Sequence, residues 1–489
     1  MIGILLFSVA ILLPSILGYM LWELVQADKE RDPWESVSFA FPFGAGAIVV
    51  WMLFLANLGV QLTRTVLLVP PAAAVLILLI FRKRLAPRPA PAPVSSIFAT
   101  TSEGSRWACG AFLAIVGIEF FCTAVPLLRL PQITEWDGWA IWEMKAKAIF
   151  VDRGFGSYLS RAAEYNFSWP ARPCFTSAFQ AFVHIVSGNL NEAAARCVHV
   201  ILYASLMLIF YVTLRRRLEA WIAIAWTAML ATIPNLAYWA NAGLANLPLG
   251  IFLFSAVIAL DRWRSENSAG YLAASSAFFG FALLTRDEAV GLVAICLVVA
   301  VMSALRQPVL SRRLILFLAS LLIAGSALIY SLWAWLVRAY PMFDLRSVWL
   351  TPEIFQRVRA HLPDLGAVLK KIAAELMKPP DQALASPFET KIGISLFWPL
   401  FALALILSGF RAIIGLRKSG SQDELMMKCG ICATLGLCAY SLGLWLFPYW
   451  SMNDLAPWSN ALDRQVMSLV PMAAYHLALA FSVNRTAPL

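Results

Sequence analysis

Charge is scarce in this chain. Only 13% of its 489 residues are Asp, Glu, Lys or Arg, against 61% that are hydrophobic, and a soluble protein of this length carries far more. Histidine is scarcer still: His184, His199, His361 and His476 sit at no ligand spacing, which argues against a histidine-based metal site. The eight cysteines form no disulfide framework. Cys109, Cys122, Cys197, Cys296 and Cys438 lie within apolar runs, where cysteine behaves as a small hydrophobe. Cys429 and Cys432 make a lone CxxC, and only Cys174 falls in a loop expected outside the membrane. No cofactor follows from this inventory; a divalent cation is compatible with it but not called for. An inverted internal repeat, expected of many transporters, is also missing.

The chain does have apolar runs of roughly 17–23 residues, each long enough to cross about 30 Å of hydrocarbon. The expectation is an all-α polytopic membrane protein. Its basic excess of +10 collects in short loops between those runs, the signal of cytoplasmic loops rather than of nucleic-acid binding. Met1 to Trp22 has no basic leader and reads as a span. Further spans are expected near 38–60, 65–81 and 107–128, with Arg82-Lys83-Arg84 and the Pro/Ala run from Arg88 to Pro93 as a stiff basic linker. Phe175 to Ser187 is short for a crossing. Were it to cross, Arg215-Arg216-Arg217 would fall outside, so it is read as a re-entrant or interfacial helix.

Spans then fall near 195–214, 220–238, 243–260, 271–286, 288–305, 314–336, 394–410, 429–447 and 465–483. The total is about 13, with the N-terminus out and the C-terminus in. The expected organisation is a three-span region with its linker (1–106), a core (107–336) holding a first outer loop (129–194), a second outer loop (337–393) and a three-span end (394–489). In the second loop Thr351-Pro352-Glu353 reads as a helix start. Leu365, Val368, Leu369, Ile372 and Leu376 then form one apolar face of a surface-lying helix.

The stretch from Thr134 to Phe150 breaks the apolar rule, with Glu135, Asp137, Glu143, Lys145 and Lys147 among Trp136, Trp139 and Trp142. A carboxylate at the membrane boundary is costly unless wet, paired or functional. The plain reading makes Asp137 a helix N-cap, the tryptophans an aromatic belt, and Glu143 with Lys147 an exposed i,i+4 pair. Other uncommon polar groups fall on the same side: Arg161, Arg172, Asn241, Asn246, Lys391, Asp454, Asp463, Arg464 and the tight Arg286-Asp287-Glu288 turn, which lines a cavity better than it faces lipid. A carboxylate, several cations and an aromatic groove suit a lipid-phosphate-linked substrate. The cations would steady the leaving phosphate and the carboxylate would take a proton from a hydroxyl.

Trp136-Asp137-Gly138-Trp139-Ala140-Ile141-Trp142-Glu143-Met144-Lys145-Ala146-Lys147 resembles the first-outer-loop signature of bacterial GT-C fold glycosyltransferases, the group related to aminoarabinose transferases and protein mannosyltransferases. Leu244-Ala245-Asn246-Leu247-Pro248, Thr285-Arg286-Asp287-Glu288-Ala289 and the Asp463-Arg464 helix start resemble further elements of that group. Two departures stand out: Ser168-Trp169-Pro170-Ala171-Arg172-Pro173 lacks the histidine of a His-Pro-aromatic-Pro element, and Asn246 replaces an acid. The resemblance implies a GT-C-like bundle with two large periplasmic loops carrying interfacial helices, in the bacterial inner membrane. It implies a polyprenyl-phosphate sugar donor, a glycan, lipid or protein acceptor, and inversion with Asp137 as base. Arg464, Arg286 and Lys145 or Lys147 would hold the phosphate, and Glu135 or Glu288 the sugar hydroxyls. Arg172 and Asp287 complete the expected substrate-binding set. A transporter or flippase of a lipid-linked or anionic solute, and a non-catalytic GT-C-like subunit, are the competing readings.

Overall fold

The computed structural model describes residues 2–27, 32–85, 103–129, 132–133, 135–161, 164, 170–305, 312–340 and 467–481, with single residues at 359, 363, 400, 401, 403 and 404. The described residues form helices and no strands. They are α1 (Ile2–Val25), α2 (Pro33–Asn57), α3 (Arg64–Leu85), α4 (Glu103–Arg129), a π-helical turn (Gly138–Glu143), α5 (Met144–Asp152), α6 (Gly156–Ser160) and α7 (Phe175–Ser187). They continue as α8 (Glu192–Arg215), α9 (Ala220–Ala231), α10 (Pro234–Asn241), α11 (Asn246–Glu266), α12 (Ala269–Leu283), α13 (Ala289–Leu305), α14 (Arg312–Arg338) and α15 (Val470–Phe481). Seven of these are long and apolar enough to cross a membrane: α1 to α4, α8, α11 and α14. The all-α polytopic expectation therefore stands. The second outer loop lies almost wholly outside the described residues, and the spans expected at 394–410 and 429–447 do so almost entirely.

Local chemistry sets the helix ends. The Asp32 carboxylate accepts the Trp34 and Glu35 amides, and Pro33 opens α2 where its missing N–H costs nothing. The expected span 220–238 is instead two helices. Ile233 is extended before Pro234, because proline disfavours a helical conformation in the residue it follows. α1 and α2 cross where a Cβ at Gly18 would overlap the Ala40 carbonyl and one at Gly44 the Pro14 carbonyl, a close approach that only small residues permit.

α2, α8 and α11 are the buried members, around a cluster of rings that includes Trp22, Phe39, Phe43, Phe252 and Phe278. α3, α4 and α14 keep large apolar side chains on the outside, among them Ile80, Phe121 and Leu328, as lipid-facing helices do. Arg216 with Asp32 (3.2 Å) and Arg217 with Asp261 (2.5 Å) gather at one end of the bundle. The Leu62 amide to the Arg153 carbonyl (2.8 Å), the Trp333 indole to the Ala171 carbonyl (3.3 Å) and the Phe175 amide to the Leu284 carbonyl (2.7 Å) bind the other end. Both termini of α7 lie at that second end, since Gly188 abuts Arg64 while Phe175 meets Leu284. The helix thus begins and ends at one end of the bundle, and Phe175 through Val186 are all buried, so it does not lie on the surface.

Candidate active site

Asp137 does not cap a helix. It has helical φ and ψ of −65° and −35° and makes no side-chain bond to the turn that follows. Gly138–Glu143 is a π turn, in which the Met144 amide reaches back five residues to the Trp139 carbonyl. Gly138 is required there because a Cβ would overlap the Ala242 carbonyl at the α10–α11 junction. The wider turn changes which residues face inward. Asp137 is half-buried, Trp136 and Trp139 are exposed, and Trp142 is buried with the Lys145 ammonium 5.3 Å from its ring centre.

The expected exposed pair of Glu143 and Lys147 is not formed, and it is corrected on both sides. Glu143 is fully buried and bonds His184 Nε2 at 2.9 Å. Lys147 bonds Glu192 at 2.5 Å, while the other Glu192 oxygen accepts the Ile133 amide at 2.8 Å. Lys147 thus ties α5 to the start of α8. Glu135 accepts a hydrogen bond from the Tyr238 hydroxyl at 2.6 Å.

Five of the expected residues do gather. Lys145 is 1% exposed and donates to the Arg172 carbonyl at 3.3 Å. The Arg172 guanidinium lies 3.6 Å from Asp287, and Arg286 pairs with Glu288. Arg286 also donates to Asn246 Oδ1 at 2.6 Å, so the asparagine that replaces an acid here is a neutral partner that leaves the arginine's charge in place. Burial first, and then the neighbouring Arg172, push the Lys145 ammonium down to about 7, partly opposed by Asp287. Burial raises Asp287 above the ordinary aspartate range, and Glu288 adds to the effect against Arg172 and Lys145. Arg464 lies outside the described residues.

The Asp137 turn and this charge cluster meet the same α10–α11 junction, through Gly138 at Ala242 and Arg286 at Asn246. Sequence reasoning passed over Glu143, His184, Glu192 and Tyr238 as site neighbours. A signal existed for His184: Thr176, Gln180 and His184 recur every four residues on a mostly apolar helix, so they share one face. Among the described residues no three His, Cys, Asp or Glu side chains gather as a metal-ligand set.

An all-helical bundle with long apolar helices and a buried cluster of charges fits a membrane glycosyltransferase of the GT-C type, and a family match over about a third of the chain supports that class. Residues 171–335 match the family model described as dolichyl-phosphate-mannose-protein mannosyltransferase. The matched stretch contains Arg172, Asn246 and the 286–288 turn, and begins after Asp137. No curated protein matches the chain.

Proposed function

We propose that this protein transfers a glycosyl group from a polyprenyl-phosphate donor to an acceptor hydroxyl on a glycan, lipid or protein. The reaction takes place at the periplasmic face of a bacterial inner membrane. The hydroxyl oxygen bonds to the anomeric carbon as the carbon–phosphate oxygen bond breaks. The electron pair leaves with the polyprenyl phosphate, and Asp137 takes the hydroxyl proton. Displacement from the opposite side inverts the anomeric centre, through an oxocarbenium-like transition state.

One arrangement carries this reading. A half-buried carboxylate and a group of three cations, Lys145, Arg172 and Arg286, share one end of the bundle, on either side of one helix junction. Cations held in a poorly hydrated site stabilise developing phosphate charge more than they would in water. Lys145 fits the task, because an anion beside it would restore the charge that burial disfavours. Asp287 and Glu288 keep the site near neutrality and suit sugar hydroxyls; Glu135, held by Tyr238, lies beside Asp137 in the chain and reaches the same hydroxyls.

The test is transfer of a radiolabelled sugar from a polyprenyl-phosphate donor in sealed vesicles. The Asp137→Asn variant is expected to fold and bind donor but not transfer. Transfer at the wild-type rate in that variant removes the proposed base. Movement of labelled donor across the vesicle, without a new glycosidic bond, would favour a flippase instead.

A further inference from the structure

Glu143 and His184 are the most completely buried titratable pair among the described residues, and the reaction as written uses neither. His184 Nδ1 accepts the Asn191 amide at 3.2 Å, which puts the ring proton on Nε2, and Nε2 then donates to Glu143 Oε1 at 2.9 Å. Neither side chain has any exposed surface. The second carboxyl oxygen, Glu143 Oε2, has no hydrogen-bond partner among the described residues, so among these the imidazole is the group that orients this carboxyl.

Stability does not account for such a pair. Two apolar side chains of similar size would hold α5 on α7 at least as well, without desolvating a carboxyl and an imidazole. What the pair does have is position. Glu143 closes the π turn that Gly138 opens, and Gly138 is wedged against Ala242. The turn is therefore fixed at both ends, and Asp137 is the residue immediately before the first fixed point. We infer that Glu143 and His184 are positioning residues. Their directional bond sets the rotation of the π turn, and with it the direction in which the Asp137 carboxylate faces the acceptor. This rests on the reading of Asp137 as the base.

The discriminating variant replaces both partners, Glu143→Leu with His184→Leu. Removing both polar groups together leaves no orphaned partner, so the melting temperature should stay close to wild type. Turnover should nevertheless fall by about 100-fold, the order expected from a misplacement of about 1 Å, with the donor KM almost unchanged. A second readout needs no activity: Asp137→Cys, labelled with a membrane-impermeant maleimide, should react at a different rate in the double-leucine background. Wild-type kcat or an unchanged labelling rate in the folded double variant overturns the inference. Should the double variant fail to fold, His184→Gln keeps a donor at the reach of Nε2 and should retain turnover. His184→Asn reaches only the Nδ1 position and should lose it; equal turnover in the two overturns the inference. Asp137→Asn assayed alongside separates the levels. If it still transfers sugar, the base assignment falls and the inference with it. If it is inactive while the double-leucine variant is fully active, the inference alone falls.

Discussion

The two ends of this bundle both hold buried charge, yet they are built for different work. At the end away from Asp137 the cations are Arg216, Arg217 and Arg262, matched by Asp32, Glu35, Asp261 and Glu266. Arginine keeps its charge at every accessible pH, and all of these contacts but the Arg262–Glu266 pair within α11 tie one helix or helix end to another. At the Asp137 end one cation is a lysine brought down to about 7, whose bond is to the Arg172 carbonyl at 3.3 Å rather than to a carboxylate. The first cluster is a fastener. The second, on the proposed reading, takes a charged donor.

Mutations should pull the two clusters apart. The largest effect belongs to Asp137→Asn, which is expected to lower turnover by about 1,000-fold, within the usual worth of a general base, in the vesicle assay. Arg286→Ala should come next, raising the donor KM by about 10- to 100-fold, as loss of a hydrogen bond to a charged group does, together with a lowered melting temperature because Glu288 and Asn246 lose this partner. Arg216→Ala is the counterpart at the far end. It should cost about 2 kcal/mol of stability, seen in denaturant melts, and leave donor KM unchanged, because Glu35 keeps Arg262 as a partner. A KM effect from Arg216→Ala, or a stability loss alone from Arg286→Ala, would collapse the distinction.

Acidity should sharpen it further. The Lys145 proton is bound below about pH 7 and lost above it, so donor affinity should weaken as pH rises through 7, by up to about tenfold per unit. Lys145→Arg keeps its charge throughout and should flatten that profile; a profile unchanged by the substitution would exclude Lys145 from donor binding. The smallest expected effect is that of chelation: turnover after EDTA treatment should stay within about twofold, and a loss that magnesium restores would bring a cation into the reaction.

Much of the bundle could be read from the residues alone. Apolar run lengths and the arginines at 215–217 were enough to order the helices and to keep α7 from crossing. The Ile233–Pro234 break was missed, although the proline inside the run was its signal. The site was legible only in part, for a geometric reason. Lys145 and Lys147 are two residues apart, hence nearly opposite on a helix, and nothing local says which one turns inward. Glu192, 45 residues away from Lys147, decides it. Glu143 was misplaced because an i,i+4 count sees only local partners, whereas His184 on α7 takes Glu143 and Glu192 at the start of α8 takes Lys147.

The burial of α7 has a bearing on biogenesis. At 13 residues it spans about 20 Å as a helix, too little to be retained in a bilayer by itself, and it carries Gln180 and His184. Its neighbours α1, α2, α5 and α8 come from both earlier and later parts of the chain. Integration must therefore place those helices first and let α7 dock between them afterwards, as the second stage of assembly. A nascent chain halted before α8 emerges should expose the 175–187 segment to added protease, and one released after α8 has joined the bundle should protect it.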